Sequence, residues 1–108
     1  MKVAQLHRYG GPEVLVYEDA PDPKAGAGEV LIKVESASVN FADVVRRNND
    51  PYPFPSPLPF IPGSEVAGVV EAVGESVKNV AVGTKVFASL ENGGAGGYAQ
   101  YAVAKAAK

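Results

Sequence analysis

The side chains in this sequence that could do chemistry fall in three places. Gly63-Ser64-Glu65-Val66-Ala67-Gly68 sets a hydroxyl beside a single acid, between glycines and at the head of an apolar run. Asn40 and Asp43 bracket Phe41-Ala42, a carboxamide and a carboxylate at the start of a helix-like stretch. Tyr52 brings a ring and a phenolic hydroxyl into a proline-rich segment. What is missing narrows the chemistry further. With no cysteine, disulfides, thiolate metal sites and cysteine nucleophiles are excluded. The single histidine, His7, cannot alone build a His-rich metal site or a Ser-His-Asp triad.

Bulk properties set the outer limits. The 108 residues, 46% hydrophobic and 20% charged, suit one ordinary globular domain with one modest core. A formal net charge of −2 gives no electrostatic reason to expect nucleic acid or an anionic membrane as partner. No apolar run approaches the roughly 20 residues needed to span a bilayer. The N-terminus lacks the apolar core of a signal peptide, so the cytosol is the expected compartment.

The elements that must position these residues read mostly as short strands. Lys2 to His7 alternates, Gly10-Gly11-Pro12 breaks the chain, and Val14 to Glu18 resumes a β-rich run, predicting an opening pair of antiparallel strands. Pro21 to Gly28 reads as a loop. Glu29 to Val39 is the clearest strand, with Val30, Ile32 and Val34 on one face. Asn40 then stands where a helix cap would be, and Phe41 to about Arg47 reads as a short helix with Asp43 near its positive end. Asn48 to Pro62 holds six of the nine prolines, which predicts a stiff, extended loop. Its Tyr52, Phe54, Leu58 and Phe60 are apolar anchors that fit a lid or cleft wall. From Glu65 a glycine-interrupted strand follows, with a bulge or bend expected. Thr84 to Leu90 and Tyr98 to Val103 complete the strands, and Ala104 to Lys108 reads as a tail with nothing to bury. The sum is a mainly β domain over 1–103: a curled sheet or partly open barrel with one short helix and a Pro-rich loop.

One tempting motif is set aside. Gly94-Ala95-Gly96-Gly97-Tyr98-Ala99 fits the dinucleotide pattern G-x-G-x-x-G/A, which requires a strand before it and a helix after it. A strand-like run follows instead, so a glycine-rich hairpin or loop is expected there.

Gly63 through Gly68, then Gly74 and Val77, resembles the zinc alcohol dehydrogenase signature G-H-E-x-x-G-x5-G-x-x-V, with Ser64 standing where the zinc-binding histidine would be. Val39-Asn40-Phe41-Ala42-Asp43, Gly10 to Leu15, and Pro23 through Val34 with its G-E-V-L-I-K-V core resemble the zinc-independent quinone oxidoreductase branch. The chain is thereby similar to the N-terminal GroES-like domain of medium-chain dehydrogenase/reductases of the zeta-crystallin-like type. The resemblance implies metal-free hydride transfer from NADPH to quinones or enones. It places Asn40 in the nicotinamide and substrate cleft, with Asp43 beside it as a lesser candidate for chemistry. Tyr52 would lie near the cofactor, and Glu65 with Ser64 would support the cleft. Residue by residue, plainer readings stand alongside: Asn40 and Asp43 as helix-end groups, Tyr52 as a loop anchor, Glu65 as a buried, hydrogen-bonded acid.

Family members are much longer and carry a Rossmann domain that supplies most of the nucleotide affinity. The resemblance therefore implies that these residues alone bind NADPH weakly or not at all and form an inactive fragment. Two other classes of role remain: a non-catalytic GroES-like binding or scaffold module, and a self-assembling homo-oligomer built on an exposed strand edge.

Overall fold

The computed structural model describes residues 1–39, 47, 58–90 and 96–106. The chain opens with a hairpin of β1 (Lys2–Leu6) and β2 (Leu15–Asp19), antiparallel, with Lys2 opposite Asp19 and Leu6 opposite Leu15. Between them the expected break is a 3-10 turn, Pro12–Val14, closed by Val14 N–H donating to Gly11 O. Val14 thus leaves the strand predicted for it and is buried with Leu6 and Phe60 in a small cluster.

Four more strands form a second sheet in the order β5-β4-β3-β6: β3 (Glu29–Ala37), β4 (Glu65–Val73), β5 (Lys85–Ser89) and β6 (Tyr101–Lys105). Every pairing is antiparallel. The alternation read from β3 holds, because Val30 and Ile32 point inward at 5% and 0% exposure. They meet Val66 and Val70 of β4, Ala102 and Ala104 of β6, and Leu90 in one apolar core.

The bend expected in β4 appears as two register shifts against β3, between Leu31 and Ile32 and between Val34 and Ser36. Gly68 sits beside the second. A Cβ there would lie 2.1 Å from Lys33 O, so only glycine lets the two backbones approach this closely.

β5 and β6 are the sheet's two edges and are not hydrogen-bonded to each other. Even so, Val86 and Ala88 of β5 and Ala104 of β6 line one cavity of about 180 Å³ together with Ala106. The sheet is therefore curled without closing, which matches the partly open barrel read from the sequence.

Two boundaries differ from the sequence reading. β6 starts at Tyr101, because Tyr98 and Ala99 are engaged elsewhere: Tyr98 N–H donates to Pro62 O, its carbonyl accepts from Ala4 N–H, and Ala99 bridges to Val3. The supposed tail is corrected over 104–106. β6 continues through Lys105, and Ala104 and Ala106 are buried at 2% and 7%, since a methyl side chain fits the narrow gap between the curled edges. The helix expected over Phe41 to Arg47 lies outside the described residues except at its end. There Arg47 is helical, accepts from Gly10 N–H at 2.9 Å, and returns an Nε donation to Gly10 O at 3.1 Å. Of the proline-rich loop, its exit is described: Phe60 is buried and exchanges backbone hydrogen bonds with Leu6 at 2.9 and 3.0 Å. Among the described residues no helix is long and apolar enough to cross a membrane.

Candidate functional site

The segment entering β4 is held on both sides by backbone contacts. On one side, Gly96 N–H donates to Ile61 O, Tyr98 N–H to Pro62 O, and Gly97 N–H to Gly63 O, all at 2.8–2.9 Å. Gly63 adopts φ +101°, and a Cβ there would meet Gly97 Cα and Tyr98 Cδ1 at 2.8 Å. The motif set aside as a dinucleotide fingerprint is followed by a bridge at Ala99 and then by β6, where the fingerprint requires a helix. Its final glycine forms a clasp on the motif. On the other side, Leu90 N–H donates to Ser64 O at 2.7 Å, and Leu90 is itself locked in the core.

Ser64 is partly buried, while Glu65 opens β4 opposite Ser89 with its side chain exposed. The expectation of a buried glutamate is corrected: the first residue of β4 projects on the outer face, and Val66 takes the inward position. Glu65 is nonetheless held. Ser38 Oγ donates to its Oε1 at 2.9 Å, and Ser38 N–H donates to its backbone carbonyl at 3.2 Å. Ser38 directly follows β3 and lies two residues before Asn40. The clamp therefore fixes where the chain departs toward Asn40. Ser38 was not singled out from the sequence, since nothing in its type or spacing marks it.

Beside Glu65 lies an open cleft of about 560 Å³ whose lining includes Ser36, Ser38, Ala67, Phe87 and Ser89. Ser64 is not among its lining residues. Asn40, Asp43 and Tyr52 lie outside the described residues.

The residues present do not fit a catalytic zinc ion, which takes three protein ligands from Cys, His and acid. The chain has no cysteine, its single histidine is paired through Nε2 with Glu18, and the motif's ligand position holds a neutral hydroxyl. Among the described residues no three His, Asp or Glu side chains gather to hold a metal. Among the described residues, the resolved electrostatic perturbations fall on the hairpin. Hydrogen bonds from His7, then Gln5, hold the Glu18 carboxyl below its ordinary value. The Lys2–Asp19 hydrogen bond and ion pair raise Lys2 and lower Asp19.

Comparison with known proteins places this geometry. The family model for the alcohol dehydrogenase GroES-like domain matches residues 26–108. A chloroplastic quinone oxidoreductase of Triphysaria versicolor is 44% identical over 106 residues, covering 96% of this chain and 32% of that protein. The quinone oxidoreductase of Homo sapiens is 40% identical over 105 residues, covering 96% and 31%. Among solved structures, a mycobacterial quinone oxidoreductase superposes with TM-score 0.84 at 41% identity, covering 97% of this chain and 31% of that one. The Escherichia coli quinone oxidoreductase complexed with NADPH gives TM-score 0.86 at 28% identity, covering 98% and 31%. This chain spans about a third of the length of each. The chain belongs to the alcohol dehydrogenase GroES-like domain family.

Proposed function

We propose that this chain is the catalytic-domain portion of a quinone oxidoreductase-type enzyme that reduces quinones or activated double bonds with NADPH and without metal. The observation that carries the reading is Ser64, a hydroxyl at the position where the signature of the zinc enzymes has a ligand, in a chain with no cysteine to complete a site. Its quinone oxidoreductase relatives, and the NADPH in the Escherichia coli structure, support the choice of substrate and cofactor.

NADPH, when bound, supplies the hydride, and the quinone takes a hydride and a proton to become the hydroquinone. This chain contributes position rather than an indispensable acid or base. Asn40 lines the nicotinamide and substrate cleft, with Asp43 beside it as the secondary candidate. Tyr52 flanks the cofactor from the proline-rich loop. Glu65 acts at one remove: by gripping Ser38 it fixes the exit of β3, from which Asn40 is presented. The Gly63–Gly97 clasp and the Leu90–Ser64 bond hold the segment that enters β4.

The relatives contain about twice as much further polypeptide, so residues 1–108 alone are expected to give no NADPH-dependent quinone reduction. The test is a graft in which these residues replace the matching third of the mycobacterial quinone oxidoreductase. A folded graft that reduces quinone with NADPH, and loses most of that rate on Asn40→Ala, supports the reading. A graft that binds NADPH but reduces no quinone or enone contradicts it.

A further inference from the structure

Residues 38–60 include Asn40, Asp43 and Tyr52, and three described residues of that stretch bind other parts of the domain. Ser38 holds its start to Glu65, and Phe60 holds its exit to Leu6 through a pair of backbone bonds. Arg47 lies between them and is bound to Gly10, in the connection between β1 and β2. Asn40 and Asp43 precede Arg47 in the chain and Tyr52 follows it, so this middle tie bears on all three.

The tie has two points. Gly10 N–H donates to Arg47 O at 2.9 Å, and Arg47 Nε donates to Gly10 O at 3.1 Å. The first bond answers a need written in the sequence. Arg47 is helical, and an α-helical bond to its carbonyl would come from the residue four places on. That residue is Pro51, which has no N–H, so Gly10 supplies the donor from outside. The second bond fixes orientation as well as distance, because the planar guanidinium presents its Nε–H in a set direction. Gly10 is itself packed in place. A Cβ there would stand 2.9 Å from Val14 Cγ1, and Val14 is buried with Leu6 and Phe60. One small apolar cluster therefore backs both the Arg47 tie and the Phe60 tie.

We propose that Arg47 is a positioning residue for the hydride transfer put forward above, a role that rests on that reading of the chain. With Gly10 it pins the stretch bearing Asn40, Asp43 and Tyr52 to the N-terminal hairpin, and so sets where those side chains stand. The leverage is large, since a misplacement of about 1 Å can cost on the order of a hundredfold in rate.

The contact is tested first in the 108-residue chain by NMR. Arg47 Nε–H should exchange with solvent more slowly than that of the exposed Arg8, and Gly10 N–H should exchange faster in Arg47→Ala. The role is tested in the graft onto the mycobacterial quinone oxidoreductase. Arg47→Ala, and Arg47→Met with its apolar stem kept, should each lower kcat by roughly ten- to a hundredfold with little change in the KM for NADPH. Glu18→Gln, which loosens the same hairpin away from the clasp, should leave kcat unchanged whatever it does to the Tm. Fast exchange of Arg47 Nε–H would overturn the proposal. So would a parent kcat in both Arg47 variants, or a kcat that falls in step with the Tm in Glu18→Gln, and either result would leave quinone reduction itself standing. A parent graft that reduces no quinone would remove the enzyme reading and the positioning role with it.

Discussion

Ser38 and Glu65 are joined twice, by Oγ to Oε1 at 2.9 Å and by backbone N–H to carbonyl at 3.2 Å. The first bond ties a side chain leaving β3 to the acid of the signature motif. The second fixes the backbone at the same point. The motif acid that the resemblance reads as cleft support is, in the fold, a fastener for the end of β3, two residues before Asn40.

Removing the fastener should loosen that segment before it unfolds the domain. Glu65→Ala is expected to cost about 1 kcal/mol, the usual net worth of one such hydrogen bond at an exposed site. Glu65→Gln, which keeps an acceptor, should cost less. Amide exchange should rise at Ser38 and Val39 in the alanine variant and stay near the parent rate in the glutamine variant. In the graft, quinone reduction should fall in the same order.

Gly63 and Gly68 are intolerant for different reasons, and the two should separate experimentally. At Gly63 a side chain meets both the left-handed φ and the Gly97–Tyr98 backbone, so Gly63→Ala should cost about 2–3 kcal/mol. At Gly68 the obstacle is Lys33 O at 2.1 Å, which β3 cannot yield without breaking its pairing to β4. Gly68→Ala should therefore be the more damaging, losing the cooperative urea transition that Gly63→Ala retains.

Among the described residues, the carboxyls held below their ordinary values lie on the hairpin. The Glu18 and Asp19 carboxyls sit below their ordinary values of 4.5 and 3.8 in the folded chain, so their contribution is present above those values. It is lost as the pH falls through the lowered folded values. Lys2 is raised above 10.5, so the same pair with Asp19 also weakens as the pH climbs through that raised value. Urea midpoints measured from pH 7 down to about 2 should decline less steeply in Glu18→Gln and Asp19→Asn than in the parent.

Ala106 offers a test of the corrected C-terminal boundary. It is 7% exposed, packs with Leu90 in the core, and its carbonyl accepts from Asn79 Nδ2 at 2.6 Å. Ala106→Asp buries an unpaired charge and should cost about 3 kcal/mol. That corresponds to a Tm lower by roughly 10–20 °C for a domain of this size. Were 104–106 a solvated tail, the melting curve would not move.

Strand existence was legible where one face is buried. The Val30, Ile32, Val34 alternation located β3, and the glycine-broken run from Glu65 gave β4 with its irregular register. What could not be read arises from tertiary placement. Alanines 104 and 106 look like surface residues by composition and are core residues because the two sheet edges curl toward each other. Glu65 looked buried within an apolar run, yet strand parity turns it outward. Ser38 acquired its role only when the end of β3 met the start of β4. Ser64, by contrast, was informative from its position in the motif alone, while Asn40, Asp43 and Tyr52 fall outside the described residues.

The measurement that bears most directly on the metal-free reading is zinc dependence in the graft. Metal content and NADPH-dependent quinone reduction would be determined before and after exhaustive chelation. Well under one zinc per chain, with the rate unchanged by chelator or added Zn²⁺, is the expected result. A rate abolished by chelation and restored by stoichiometric Zn²⁺ would contradict it.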